Sequence, residues 1–95
     1  MALNSYRQFQ TTRTVVNNGA WTAINIPAGA IDATISLEDS TASFRVTADN
    51  TFGLTEGVFV SASGYYTFPG VCAGSPVVVY VNPSVNTVAV LQIQR

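Results

Sequence analysis

Residues 31–48 alternate between apolar and polar side chains in two runs. Ile31, Ala33, Ile35 and Leu37 fall on one parity, with Asp32, Thr34, Ser36 and Glu38 on the other. After the polar stretch 38–41 the alternation resumes, with Ala42, Phe44, Val46 and Ala48 against Ser43, Arg45, Thr47 and Asp49. Successive side chains of an extended chain point to opposite faces, so a period of two with one apolar face marks strands half buried against a core. Two such runs joined by a polar turn predict a β-hairpin at the centre of the fold. No segment sustains a helical period over two turns, and no helix is predicted.

The rest of the chain follows the same rule. Residues 1–16 read as an N-terminal arm or edge strand. Phe9, Thr11, Arg13 and Val15 share a parity, but the alternation is weak and suits an extended segment that pairs with a neighbour. Asn17-Asn18-Gly19 is a tight-turn signal, because Asn and Gly tolerate positive φ. It leads into a strand anchored by Trp21, Ile24 and Ile26, so residues 5–27 predict a first hairpin. Pro27-Ala28-Gly29-Ala30 is the next turn. A long loop spans 49–57, with Phe52 and Leu54 as isolated apolar residues. Short strands follow at 58–60 and 65–68, then a second long loop at 69–76. Val77 to Val81 is apolar on both parities, the pattern of a strand buried on both faces, in a sandwich centre or with one face in a subunit interface. Residues 82–86 turn, and 87–94 form the last strand. About eight short strands punctuated this regularly predict an all-β fold. The expectation is one β-sandwich domain, residues 17–95, with antiparallel strands in jelly-roll or Greek-key connection. The hairpins at 31–48 and 77–94 are its centre.

The surface is unusual in its charge. Only 9% of the 95 residues are charged, against roughly 25% in an average soluble protein. Lys and His do not occur, and the polar positions are Thr, Ser, Asn and Gln. Either this is a Thr/Ser-rich β surface, or much of the surface lies against other subunits, where Lys and Glu are depleted. The second reading accounts better for so deep a depletion. A net charge of −1 without a basic cluster argues against nucleic-acid binding, which needs Lys or Arg at the phosphates. Cys72 is the sole cysteine and has no internal disulfide partner. The opening Met1-Ala2-Leu3-Asn4-Ser5 lacks the basic and apolar regions of a signal peptide, and no stretch approaches the roughly 20 apolar residues of a membrane helix. Synthesis and assembly in a cytoplasm, away from membranes, are expected.

Chemistry is hard to build from this composition. Without His, the Ser-His and Cys-His arrangements are excluded; without Lys, so are Schiff bases and Ser-Lys dyads. Glu38 and Asp39 are adjacent at a turn and diverge. Asp49 and Glu56 flank the long loop and could approach each other, as a glycosidase pair must, but five acids in a small sandwich offer little cleft chemistry. Asp49, Asn50 and Glu56 could offer oxygens to Ca²⁺; a hydrogen-bonded turn explains them more simply. Neither a catalytic residue nor a cofactor or metal is expected. Phe44, Phe68, Trp21 and Tyr66 are placed in the core. The interface candidates are Tyr65 and Tyr80, aromatics on the other parity; Val78, which shares the second face of the valine-rich strand with Tyr80; Tyr6 and Phe9 in the first segment; and Arg45. Arg45 lies mid-strand and is expected to face Glu38 or Ser36 across the central hairpin.

Several short patterns carry a resemblance. Ala33 to Val46 reads A-x-I-x-x-E-D-x-x-A-x-x-R-V, followed by Thr55-x-Gly57, Val60-x-x-x-Gly64 and Tyr66-x-Phe68, then the valine-rich strand 77–81 and the apolar strand 88–93. This layout, over residues 20–95, resembles a loose set of small tailed-bacteriophage virion proteins. The resemblance implies a small all-β virion domain present in many copies. Within that set it implies a capsid decoration (cement) protein, a homodimer or homotrimer that binds the major capsid protein and bridges capsomers. Two other readings stay open: a tail, head–tail connector or fibre-associated subunit, and a small carbohydrate- or receptor-binding module using Tyr65 or Tyr80.

Overall fold

Each of these alternations becomes a strand. The computed structural model describes residues 9–69 and 75–94. Along them run β1 (Phe9–Val16), β2 (Thr22–Ile26), β3 (Asp32–Leu37), β4 (Phe44–Thr47), β5 (Val58–Val60), β6 (Tyr65–Pro69), β7 (Val77–Pro83) and β8 (Thr87–Gln94). No helix forms among the described residues. The strands make two four-stranded sheets, ordered β1-β8-β3-β6 and β2-β7-β4-β5, and every pairing is antiparallel.

The pairing is nested. β1 pairs with β8, β2 with β7, β3 with β6 and β4 with β5, as though the chain were first doubled back at the 48–57 loop. The doubled ribbon then rolls up, and β8 closes on β3 while β7 closes on β4. That is a jelly roll: eight strands, two sheets, Greek-key connections. The architecture expected from the alternation is therefore present, as a single β-sandwich.

The predicted hairpins are not. β1 and β2, β3 and β4, and β7 and β8 each lie in opposite sheets, so segments 5–27, 31–48 and 77–94 are crossings between layers. Among the described strands, β4 and β5 are the consecutive pair that shares a ladder. The reason is physical. Alternation tells each strand which face to bury, and that face is the same whether its successor pairs beside it or packs opposite it. The four strands 31–48 and 77–94 do supply the two central strands of each sheet.

The inward parity builds one core. Ile24 and Ile26 of β2, Ala33 and Ile35 of β3, Phe44 and Val46 of β4, Val79 and Val81 of β7, and Ala89, Leu91 and Ile93 of β8 are buried together with Val16 and Val60. Tyr66 and Phe68, with ring centroids 4.6 Å apart, pack against this cluster from the β6 edge. Trp21 departs from expectation: it is half-buried outside the core, because it shares the outward parity of Ala23 and Asn25. Val77 to Val81 is likewise one-sided, with Val79 and Val81 inward while Val78 and Tyr80 face out.

Candidate functional site

Register places the outward side chains into rows. On the second sheet, Tyr80 sits between Ala23 and Thr47, and Arg45 sits between Asn82 and Phe59. Val78 lies opposite Asn25. Three of the sequence candidates, Arg45, Val78 and Tyr80, therefore share one face. Phe59, which periodicity did not single out, joins them, with its ring 5.1 Å from the Arg45 guanidinium carbon. The signal was there: in Val58-Phe59-Val60, only one parity can be inward. The expected contact of Arg45 with Glu38 or Ser36 does not form, because β3 and β4 belong to different sheets; Arg45 instead lies over Phe59.

The 48–57 loop is tied across this sheet. The Trp21 indole N–H donates to the Phe52 carbonyl at 2.9 Å, and the Asn82 amide donates to the Leu54 carbonyl at 3.0 Å. Inside the loop, Asp49 Oδ1 accepts from the Thr51 backbone N–H at 2.9 Å and its hydroxyl at 2.6 Å. Asp39 and Thr41 repeat that arrangement at the β3–β4 crossing with the same two distances. Glu56 Oε1 accepts from the Gly53 N–H at 2.6 Å. These carboxylates close turns, and among the described residues no three His, Cys, Asp or Glu side chains gather as metal ligands would. The Thr41 and Thr51 donors hold the Asp39 and Asp49 carboxyls below the usual carboxylate range.

Around this loop and the β5 edge the surface turns apolar. Phe59 is 55% exposed and Val58 47%, and Phe52 and Leu54 of the loop are exposed as well, while Val78 is exposed farther along β7, opposite Asn25. Val46, Phe52, Val58, Tyr66 and Phe68 line a depression of about 270 Å³ at the β5–β6 side.

The outer face of the first sheet is different in kind. Its rows are Thr11–Gln92–Thr34–Thr67 and Arg13–Val90–Ser36–Tyr65. Tyr65 is 68% exposed, on the opposite side of the sandwich from Tyr80. Arg13 and Glu38 form an ion pair on this face, which lowers the Glu38 pKa and raises that of Arg13, chiefly through the hydrogen bonds between them. Of the remaining candidates, Phe9 opens β1 with its backbone opposite Gln94. Tyr6 lies outside the described residues, as does Cys72.

Fold and surface together define a small jelly-roll domain with one polar and one partly apolar outer face. Set against protein-family models, curated proteins and solved structures, the chain matches none of them.

Proposed function

We propose that this chain is a non-enzymatic virion structural protein, a capsid decoration (cement) protein of a tailed bacteriophage. It oligomerises as a dimer or trimer and bridges capsomers of the major capsid protein. It is assembled in the host cytoplasm without nucleic acid or membrane as partner. The observation that carries this reading is the apolar exposure at Val58 and Phe59 on β5, the edge of the second sheet, in a chain with so few charges. Short as it is, β5 carries neither the charge nor the Pro that blunts many edge strands, and its apolar side chains stay exposed. A neighbouring subunit would cover that edge, and Arg45 would supply a guanidinium for polar groups at the rim. The resemblance of residues 33–46 and the following turns to small virion proteins supports the location.

Copy number in purified particles tests the proposal. Hundreds of copies in fixed ratio to the shell protein, by quantitative mass spectrometry, support decoration. A small ring-like number moves the protein to the connector or tail, and absence from the particle overturns the virion reading.

A further inference from the structure

We propose that the outer face of the first sheet, beside Tyr65, is a binding site for a neutral oligosaccharide. The inference stands apart from the virion reading and uses the other side of the sandwich.

The site is a shallow trough made of two depressions. One, of about 430 Å³, is lined by Thr34, Ser36, Ser40, Ser63, Tyr65 and Gln92. The second, of about 320 Å³, continues from Thr34 and Gln92 to Thr11, Asp32, Thr67 and Gln94. These volumes fall in the range of small-ligand sites, and the two depressions share Thr34 and Gln92 in their walls.

Three properties select the ligand. Tyr65 presents an exposed aromatic face at one end, and the negative face of an aromatic ring attracts the partly positive C–H bonds on the apolar side of a pyranose. Hydroxyl and amide groups line the floor. Among the described residues the side chains of Ser36, Tyr65 and Gln92 make no hydrogen bond within the protein, so their donors and acceptors remain for a ligand rich in hydroxyls. Charge is sparse: the depression beside Tyr65 has no ionisable lining group besides Tyr65, the second holds the Asp32 carboxylate, and the neighbouring Arg13 and Glu38 neutralise each other. An anionic ligand would find no free cation here.

The rim is built rather than incidental. Ser63 adopts φ of 64°, a left-handed conformation uncommon for a residue other than glycine. Its hydroxyl donates to the Ser40 carbonyl at 2.9 Å and ties the turn before β6 to the turn after β3. The adjacent Gly64 cannot carry a side chain, since a Cβ there would meet Val60 Cγ1 at 2.7 Å. Backbone strain held in place by a neighbouring turn is the pattern found beside binding sites.

The test is a glycan array carrying neutral and acidic oligosaccharides, probed with the full chain, with hits followed by titration calorimetry at up to millimolar sugar. Binding to neutral oligosaccharides is expected. Tyr65→Ala and Gln92→Ala should each weaken it by about tenfold or more, the scale of a lost stacked aromatic or paired amide. Tyr65→Phe should retain most of the affinity, and Tyr80→Ala, on the other face, should leave it unchanged. Thermal melts establish that each variant is folded. Absence of any neutral glycan binding, binding confined to acidic glycans, or affinity unchanged in both Tyr65→Ala and Gln92→Ala would overturn the proposal.

Discussion

Arg13 of β1 and Glu38, just past the end of β3, clasp each other over the strand that separates them. Nε donates to Oε2 at 2.5 Å and Nη2 to Oε1 at 2.8 Å, a two-bonded fork that spans β8. The pair links the edge strand β1 to a central strand with which it makes no ladder. Both groups are solvent-exposed, so the contribution is small and screened by salt. A double-mutant cycle with Arg13→Met and Glu38→Gln should give a favourable coupling in low salt that fades at about 1 M salt. Additive single effects at low salt would show that the fork does not persist in solution.

Acid should destabilise the fold through three carboxylates. Glu38 is held below its usual pKa by Arg13, Asp39 by Thr41 and Asp49 by Thr51. A group whose folded pKa is depressed contributes stability that is present above its unfolded pKa and is lost as pH falls through the folded value. Thermal melts followed by circular dichroism should therefore be level from neutral pH to about 5, then fall through pH 4 and below. No histidine is present to add a step near neutrality. Asp49→Asn should flatten part of the acid limb.

Phe44 is the largest side chain in the core and is 2% exposed, packed among residues of both sheets. Phe44→Ala should cost about 3–5 kcal/mol in urea unfolding, from lost burial plus the cavity left behind. Tyr65→Ala, at an exposed position, should stay within about 0.5 kcal/mol of the parent. Equal losses at the two positions would contradict the inward and outward faces assigned here.

Gly57 closes the 48–57 loop at φ of 91°, and a Cβ there would stand 2.8 Å from the Val46 carbonyl oxygen. Gly29 has a similar φ of 86° but open space around it. Gly57→Ala should therefore lose more than about 1 kcal/mol, and Gly29→Ala clearly less, since only the first adds a backbone clash to the conformational strain. Paired denaturation curves give the comparison directly.

Phe59 supplies the test of the assembly surface. Phe59→Asp removes an exposed ring and its contact with Arg45, so the isolated domain should lose at most about 1 kcal/mol. The same substitution should abolish oligomers, or binding to capsid heads, in sedimentation experiments. Under the proposed function the contact would be mainly apolar and neutral, so its affinity should change little with salt. A steep salt dependence would point to a charged interface instead.

The strands are legible in the order of the amino acids, and so are the buried faces wherever apolar and polar residues alternate; at Trp21 and along the valine-rich β7 they are not. Period two is a local property, and it places Ile35, Phe44, Val46 and Leu91 inward without knowledge of any partner. It also foretold the turns at Asp39 and Asp49, whose side chains bond only two residues ahead. Which strands lie side by side is settled by packing across the two sheets. Strands β3 and β4 bury the same faces in one sheet or in two, so the crossing between layers leaves no trace in their alternation. From that crossing follow the loss of the expected Arg45–Glu38 contact, the placing of Arg45 on Phe59, and the pairing of Glu38 with a residue 25 positions away. It also sets Tyr65 and Tyr80 on opposite sides of the sandwich. Surface chemistry in a β-sandwich is written by cross-strand register, and register is settled by which strands the rolled chain brings together.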